Sequence, residues 1–178
     1  MQTEAHPLES FFYHAVRSSF IDNVGLDDPE IVEYVAHMLC EFSEPDSLHR
    51  LKDATGHRVE TVAEMLRAAD PVYGTANSFD EERKVRKYIG DYAMFMAGMH
   101  LDVMESAPHY EIDRSIADEL IEIGKESYSI VSQFNVFEFE QEAPLFARLS
   151  ECFDRCVLGL AMIRAELGDR RNLAWGQA

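Results

Sequence analysis

The sequence predicts an all-α fold, a single-domain antiparallel bundle of five or six helices around a central buried helix at about 79–104. Three observations carry that expectation. Apolar residues recur every three to four positions in five separate segments, the period of a helix with one buried face. Alternation with period two is confined to VFEF at 136–139, too short to anchor a sheet. The stretch from Ser78 to Leu101, SFDEERKVRKYIGDYAMFMAGMHL, begins as a charged amphipathic helix and becomes apolar on every side, as a helix wrapped by its neighbours must.

Taken in order, the first helix is expected from about Leu8 to Ile21. Leu8, Phe11, Phe12 and Ala15 share one face, and Asn23 and Gly25 close it. Asp28 followed by Pro29 opens a second helix, because the carboxylate accepts from free amides of the first turn and proline presets the backbone angle there. Its stripe is Ile31, Val35, Met38, Leu39 and Phe42, and Glu44 and Pro45 stop it. From Asp46 to Arg58 the pattern is weak, with a short helical turn expected in SLHRLKDA. Val59 to Ala69 reads as a third helix carrying Val62, Met65 and Leu66. DPVYGTANS is a loop rich in turn residues, ending in Ser78 with Glu81 three residues on, the spacing of a capping box.

That box starts the fourth helix, and Pro108 separates it from a fifth at about Glu111 to Phe134. On the fifth, Ile112, Ile116, Leu120, Ile123, Ser127, Val131 and Phe134 fall on one side. NVFEFEQE connects to a sixth helix that starts at Pro144 and ends near Leu167 and Gly168, with Leu145, Leu149, Cys152, Phe153, Cys156, Leu160 and Ile163 as its stripe. Residues 1–7 and 169–178 read as flexible or docking tails. Phe95, Met96, Ile123, Val131, Cys152, Phe153 and Leu160 are expected to share the core.

Composition narrows function more than it identifies it. At 178 residues the chain can bury a core without disulfides or metal. A net charge of −17 disfavours contact with phosphate backbones and anionic membranes, so neither nucleic acid nor a membrane is an expected partner. MQTEAHPLES has acids where a secretion signal needs bases, and the longest apolar run, Tyr92 to Met99, falls far short of a membrane span of about 20 residues. Cys40, Cys152 and Cys156 cannot all pair with one another. Cytoplasmic residence is the simplest reading.

Several constellations merit attention. On the central helix Val85, Ile89, Tyr92, Phe95, Met96 and Met99 form a broad face, with Asp91 at its margin beside Tyr88. A carboxylate in that place must find donors, and Ser127, Tyr128 or a cation from a neighbouring helix would supply them. Gly90, Ala93 and Ala97 make a strip of small residues, which Gly124 and Ser127 on the fifth helix could match. Tyr88, Gly90, Asp91, Tyr92, Gly124, Ser127 and Tyr128 are therefore the candidate ligand-binding residues. His100, with Met94, Met96 and Met99 nearby, reads as core filling.

No catalytic residue, cofactor or metal is expected. A ferritin-like centre needs Glu-x-x-His pairs, and none occurs. Glu33 and His37 read as a surface pair, and Glu119, Glu122 and Glu126 fall outside the apolar stripe. Cys152 and Cys156, one turn apart, read as buried structural thiols without a C-x-x-C motif. Hydrolase and phosphate-loop signatures are absent. Arg83, Lys84, Arg86 and Lys87 lie near the start of the fourth helix, where the macrodipole prefers anions, so Glu81, Glu82 and acids of other helices should pair with them. Phe137, Phe139 and Trp175 stand in a connection and a tail, where large aromatics either cover a core edge or meet another chain. They point toward a protein partner or self-association as a homodimer.

YIGDYAMFMAGMH, GKESYSIVS and LFARLSECFDRCVLGLAMIR together resemble a group of uncharacterised bacterial all-α proteins. In these an I-G-D-Y-A-x-F segment precedes a G-K-x-S-Y segment and a final long helix. The resemblance covers residues 86–164, about half the chain. It implies no activity and draws attention to Ile89, Gly90, Asp91, Tyr92, Gly124, Ser127 and Tyr128. Tyr88 stands where that pattern would have His, which weakens any His/Asp pair. The function expected is that of a non-enzymatic interaction or accessory protein, with a small-molecule or metal-binding bundle as the alternative.

Overall fold

The computed structural model describes residues 7–44, 46–47, 50–52, 58, 61–70, 74, 76, 78–100 and 115–175, with backbone only for 115 and 170–175. Among these residues there are seven α-helices and no strand beyond an isolated bridge between Lys52 and Arg58, so the fold is all-α. The end of the fourth helix at 101–104, Pro108, the start of the fifth at 111–114, the body of DPVYGTANS, half of SLHRLKDA and the Trp175 side chain lie outside the described residues.

Helix α1 (Pro7–Ser18) buries Phe12 and Val16 and then widens into a π-helical turn, Ser19–Val24, closed by Gly25 at φ +68°. That turn buries Phe20 and ties α1 to the last helix, since the Ser19 hydroxyl donates to the Gly159 carbonyl at 2.8 Å. Helix α2 (Pro29–Phe42) begins where expected. Asp28 accepts from the amides of Glu30 and Ile31 at 3.1 and 3.3 Å, and Ile31, Val35, Met38, Leu39 and Phe42 are all buried.

Helix α3 (Val62–Ala68) is shorter than the sequence pattern suggests because Thr61, not a residue near Val59, caps it. Thr61 and Glu64 each bond the other's backbone amide at 3.2 Å. Helix α4 (Phe79–Phe95) starts at Ser78, whose hydroxyl accepts from the Glu81 amide, and continues as a π-helical turn, Met96–His100. Helix α5 (Ser115–Gln133) runs antiparallel to α4, so that Phe79 meets Phe134 at one end and Asp91 meets Tyr128 farther along.

The expected sixth helix is two. Helix α6 (Ala143–Glu151) and helix α7 (Phe153–Trp175) meet at Cys152, whose backbone leaves the helical well at φ −105°, ψ 17°. Nor does α7 stop at Gly168. That glycine is not among those with positive φ, and good helix formers follow it, so the helix runs to Trp175. The period-two signal in VFEF forms a 3-10 turn, Phe137–Phe139, rather than a strand.

Of the seven expected core residues, Phe95, Val131, Cys152, Phe153 and Leu160 are buried together, whereas Met96 and Ile123 are half-buried. The same shift shows on α4 as a whole. Its small-residue strip, Gly90, Ala93 and Ala97, is fully covered, while Val85, Tyr92, Met96 and Met99 on the broader apolar face remain half-buried. Small side chains let neighbouring helices approach closest, so the close-packed side became the centre. A Cβ on Gly90 would stand 2.4 Å from the Tyr128 ring, and one on Gly124 only 2.1 Å from the Phe153 ring. Two aromatic rings therefore occupy the space that these glycines leave.

Candidate functional site

Asp91 projects from α4 into the interface with α2 and α5 and is only 4% exposed. A carboxylate there is tolerable when its oxygens are satisfied. Oδ1 accepts from two phenols, Tyr34 of α2 at 2.5 Å and Tyr128 of α5 at 2.7 Å, and Oδ2 accepts from the Lys87 ammonium at 2.9 Å. Lys87 stands four residues earlier on the same helix and also lies 5.0 Å from the centre of the Tyr34 ring. The two tyrosine rings meet edge to face at 6.3 Å, and both pack against Phe146 of α6 at 5.4 Å. Four helices thus converge on one carboxylate.

Burial, and then the nearby Asp91 charge, push both the Tyr34 and Tyr128 phenols well above the usual tyrosine range. They remain protonated donors at any physiological pH. As donors they tie α2 and α5 to the Asp91 carboxylate of α4.

The candidate residues divide accordingly. Asp91 and Tyr128 bond directly, and Gly90 makes room for the Tyr128 ring. Ser127 does not join them: it is fully buried, yet its hydroxyl finds no hydrogen-bond partner among the described residues. Successive helical residues point about 100° apart, so with Tyr128 aimed at Asp91 its neighbour is aimed elsewhere. Gly124 serves Phe153 instead. Tyr88 and Tyr92 stack on each other, with the Tyr88 hydroxyl donating to the Ser47 carbonyl at 3.3 Å and its pKa pushed up to about 12 by burial. A shallow recess of about 280 Å³ on this side is lined by Glu41, Arg50, Lys87, Tyr88 and Asp91. Tyr34 and Lys87 complete the cluster; the sequence marked Lys87 only as one of four cations near the start of α4, and Tyr34 not at all. The four-residue spacing from Lys87 to Asp91 was the available signal for one. Nothing comparable marked Tyr34, which comes from a helix 57 positions away.

Of the four cations expected to pair with Glu81, Glu82 and acids of other helices, Arg83 meets an acid outside α4, while Lys84 and Lys87 meet acids of α4 itself. Arg83 is buried, bonds Glu142 at 2.5 Å and stacks on Phe139 with 4.0 Å to the ring centre, while Lys84 bonds Asp80. This Arg83 contact organises the second candidate site, the turn between α5 and α6. Phe139 lies under the guanidinium, but Phe137, two residues earlier, turns outward and is 86% exposed. Its φ is +54°, the left-handed region that a bulky residue rarely enters. Phe79, 80% exposed at the start of α4, packs edge to face on Phe134 beside this turn, with Val136 also exposed.

Three other groups lie where the sequence put them: Cys152 and Cys156 are buried, Glu33 and His37 are exposed, and Glu119, Glu122 and Glu126 are exposed. His100, expected as core filling, is only half-buried, against Phe95, and burial together with Arg164 lowers its pKa. Among the described residues no three His, Cys, Asp or Glu side chains are grouped as a metal site requires, and no helix is long and apolar enough to cross a membrane. Compared with known proteins, the chain matches no family model, no curated protein and no solved structure.

Proposed function

We propose that this is a non-enzymatic interaction protein whose partner docks on the aromatic turn at Val136–Phe139 together with Phe79 and Phe134. The observation that carries the reading is Phe137, which bears two costs at once. An exposed phenylalanine forgoes burial worth roughly 1.5–3 kcal/mol, and left-handed backbone costs a non-glycine residue on the order of 1–2 kcal/mol. Among the described residues nothing recovers either cost, whereas a partner covering the ring would recover the first.

Charge selects the partner's chemistry. Asp80, Glu81, Glu82, Glu138, Glu140 and Glu142 flank the patch against Arg83 and Lys84, and the whole chain carries −17. An apolar protein surface rimmed by Lys and Arg fits this face, while a second copy would bring the two sets of acids together. The three unpaired thiols support a reducing, cytoplasmic compartment, and the same acidity supports a protein rather than a nucleic acid as partner.

Fluorescence anisotropy of a labelled amphipathic Leu/Lys helix, titrated with wild type and with Phe137→Asn, tests the reading at equal net charge. The expected result is binding that weakens about tenfold or more in the variant, the loss of one buried aromatic. Equal affinities would leave only nonspecific charge attraction. Sedimentation across micromolar concentrations accompanies it, and a homodimer broken by Phe137→Asn would replace the basic partner with a second copy. A second reading, small-molecule binding, is favoured by the recess beside Asp91 and Lys87. There Lys87→Ala would have to abolish binding of a small anion such as acetate.

A further inference from the structure

One pair of nucleophiles has no part in either reading above. Cys152 and Cys156 hold their sulfurs 3.8 Å apart, in direct contact. Cys156 is sealed at 0% exposure, and Cys152 reaches the surface at 8%. Residues one turn apart in a regular helix keep their Cβ atoms about 5–6 Å apart, too far for a disulfide, which wants about 3.5–4.5 Å. Cys152 is the break between α6 and α7: its carbonyl still accepts the Cys156 amide at 3.0 Å, but its own φ of −105° and ψ of 17° lie outside the helical well, and the two sulfurs already touch. Arg155 and Asp28 are the charged groups that act on both thiols. Arg148, whose carbonyl accepts the Cys152 amide at 3.0 Å, bonds Asp28 and Glu30 of α2, and Arg155 donates to the Gly25 carbonyl at 3.4 Å.

We propose that Cys152 and Cys156 form a peroxide-oxidisable thiol pair, with Cys152 attacking first and Cys156 resolving. The Cys152 thiolate sulfur attacks one oxygen of hydrogen peroxide, the O–O bond breaks, and hydroxide leaves and is protonated to water. Cys152 is then a sulfenic acid. The Cys156 sulfur attacks it, the S–O bond breaks, and the hydroxyl departs as water with the Cys156 proton. The two thiols lose two electrons, and the peroxide that accepts them becomes two waters.

The order of attack follows from surroundings. The sulfur contact with Cys156, aided by Arg155, holds the Cys152 thiol below its usual range despite burial, while that contact and burial raise Cys156. Cys40 stands apart on α2 and is the most exposed of the three, but burial and Glu9 push its thiol up, so it should react after Cys152.

The full reduced chain is treated with a small excess of hydrogen peroxide and followed by intact mass, thiol alkylation and peptide mapping. The expected product is monomeric, lighter by two hydrogens, keeps one alkylatable thiol at Cys40, and returns to the starting mass with dithiothreitol. Cys156→Ser should stop one oxygen heavier, with dimedone captured at Cys152, and Cys152→Ser should not lose two hydrogens. Oxidation at Cys40 first, a disulfide between chains, or an unchanged mass would overturn the proposal. The peptide map of the wild type decides the pairing even where a serine variant fails to fold.

Discussion

The Asp91 cluster and the aromatic turn both carry unfavourable terms, and they differ in where those terms are offset. Asp91 is a charge taken out of water, yet two phenols and an ammonium meet it within hydrogen-bond distance, all from the same chain. Phe137 is an apolar ring left in water on strained backbone, and the described residues supply it with no cover. Its neighbour Phe139 shows that cover was available, since Arg83 lies over that ring. A cost met locally belongs to the architecture, and a cost left open belongs to something outside it.

The comparison breaks first at Asp91. Asp91→Ala leaves two buried phenols without an acceptor and should lower unfolding free energy by about 2–5 kcal/mol. Urea denaturation measures it, and a silent substitution would remove the cluster from the architecture. Next comes Gly90→Ala. Its methyl would press on the Tyr128 ring that Asp91 holds, so a loss of roughly 1–3 kcal/mol is expected. In a double mutant with Asp91→Ala, where Tyr128 is released, the two losses should add to less than their sum.

Alkaline titration sharpens the same side. Tyr34, Tyr88 and Tyr128 have folded pKa values raised above their unfolded value near 10, chiefly by burial. Their contribution is fully present below about pH 10, where both states hold the protons. Above it the unfolded chain releases phenolic protons that the folded chain keeps, so stability falls as pH rises through the folded values. Each such tyrosine adds a slope of about 1.4 kcal/mol per pH unit, and Tyr34→Phe should remove one of them. Thermal unfolding at a series of pH values from 9 upward reads the difference.

How much of this was legible depended on whether the signal was local. The Asp28–Pro29 cap and the α2 stripe could be read because every residue concerned lies within two turns of the others. The break at Cys152 was hidden, since the apolar stripe runs through it unchanged and only the backbone departs. Asp91 could be named as a carboxylate needing donors and Tyr128 as one of them, but Ser127 fitted the pattern equally well until the register of α4 against α5 was fixed. Tyr34 was invisible because its partner lies far away in sequence. In VFEF the alternation placed Phe137 and Phe139 on one side, and the 3-10 turn with Phe137 at positive φ sends one ring out and leaves the other under Arg83, a difference that period-two spacing cannot signal.

The smallest effect tests the central claim most directly. Asparagine tolerates left-handed backbone and has no ring to expose, so Phe137→Asn removes both costs without touching a packed contact. Its urea midpoint, measured beside wild type, should be unchanged or higher, with a gain of up to about 1 kcal/mol. A fall of about 2 kcal/mol or more would show that the chain itself uses the Phe137 ring, and the turn would then be part of the architecture rather than a surface kept for a partner.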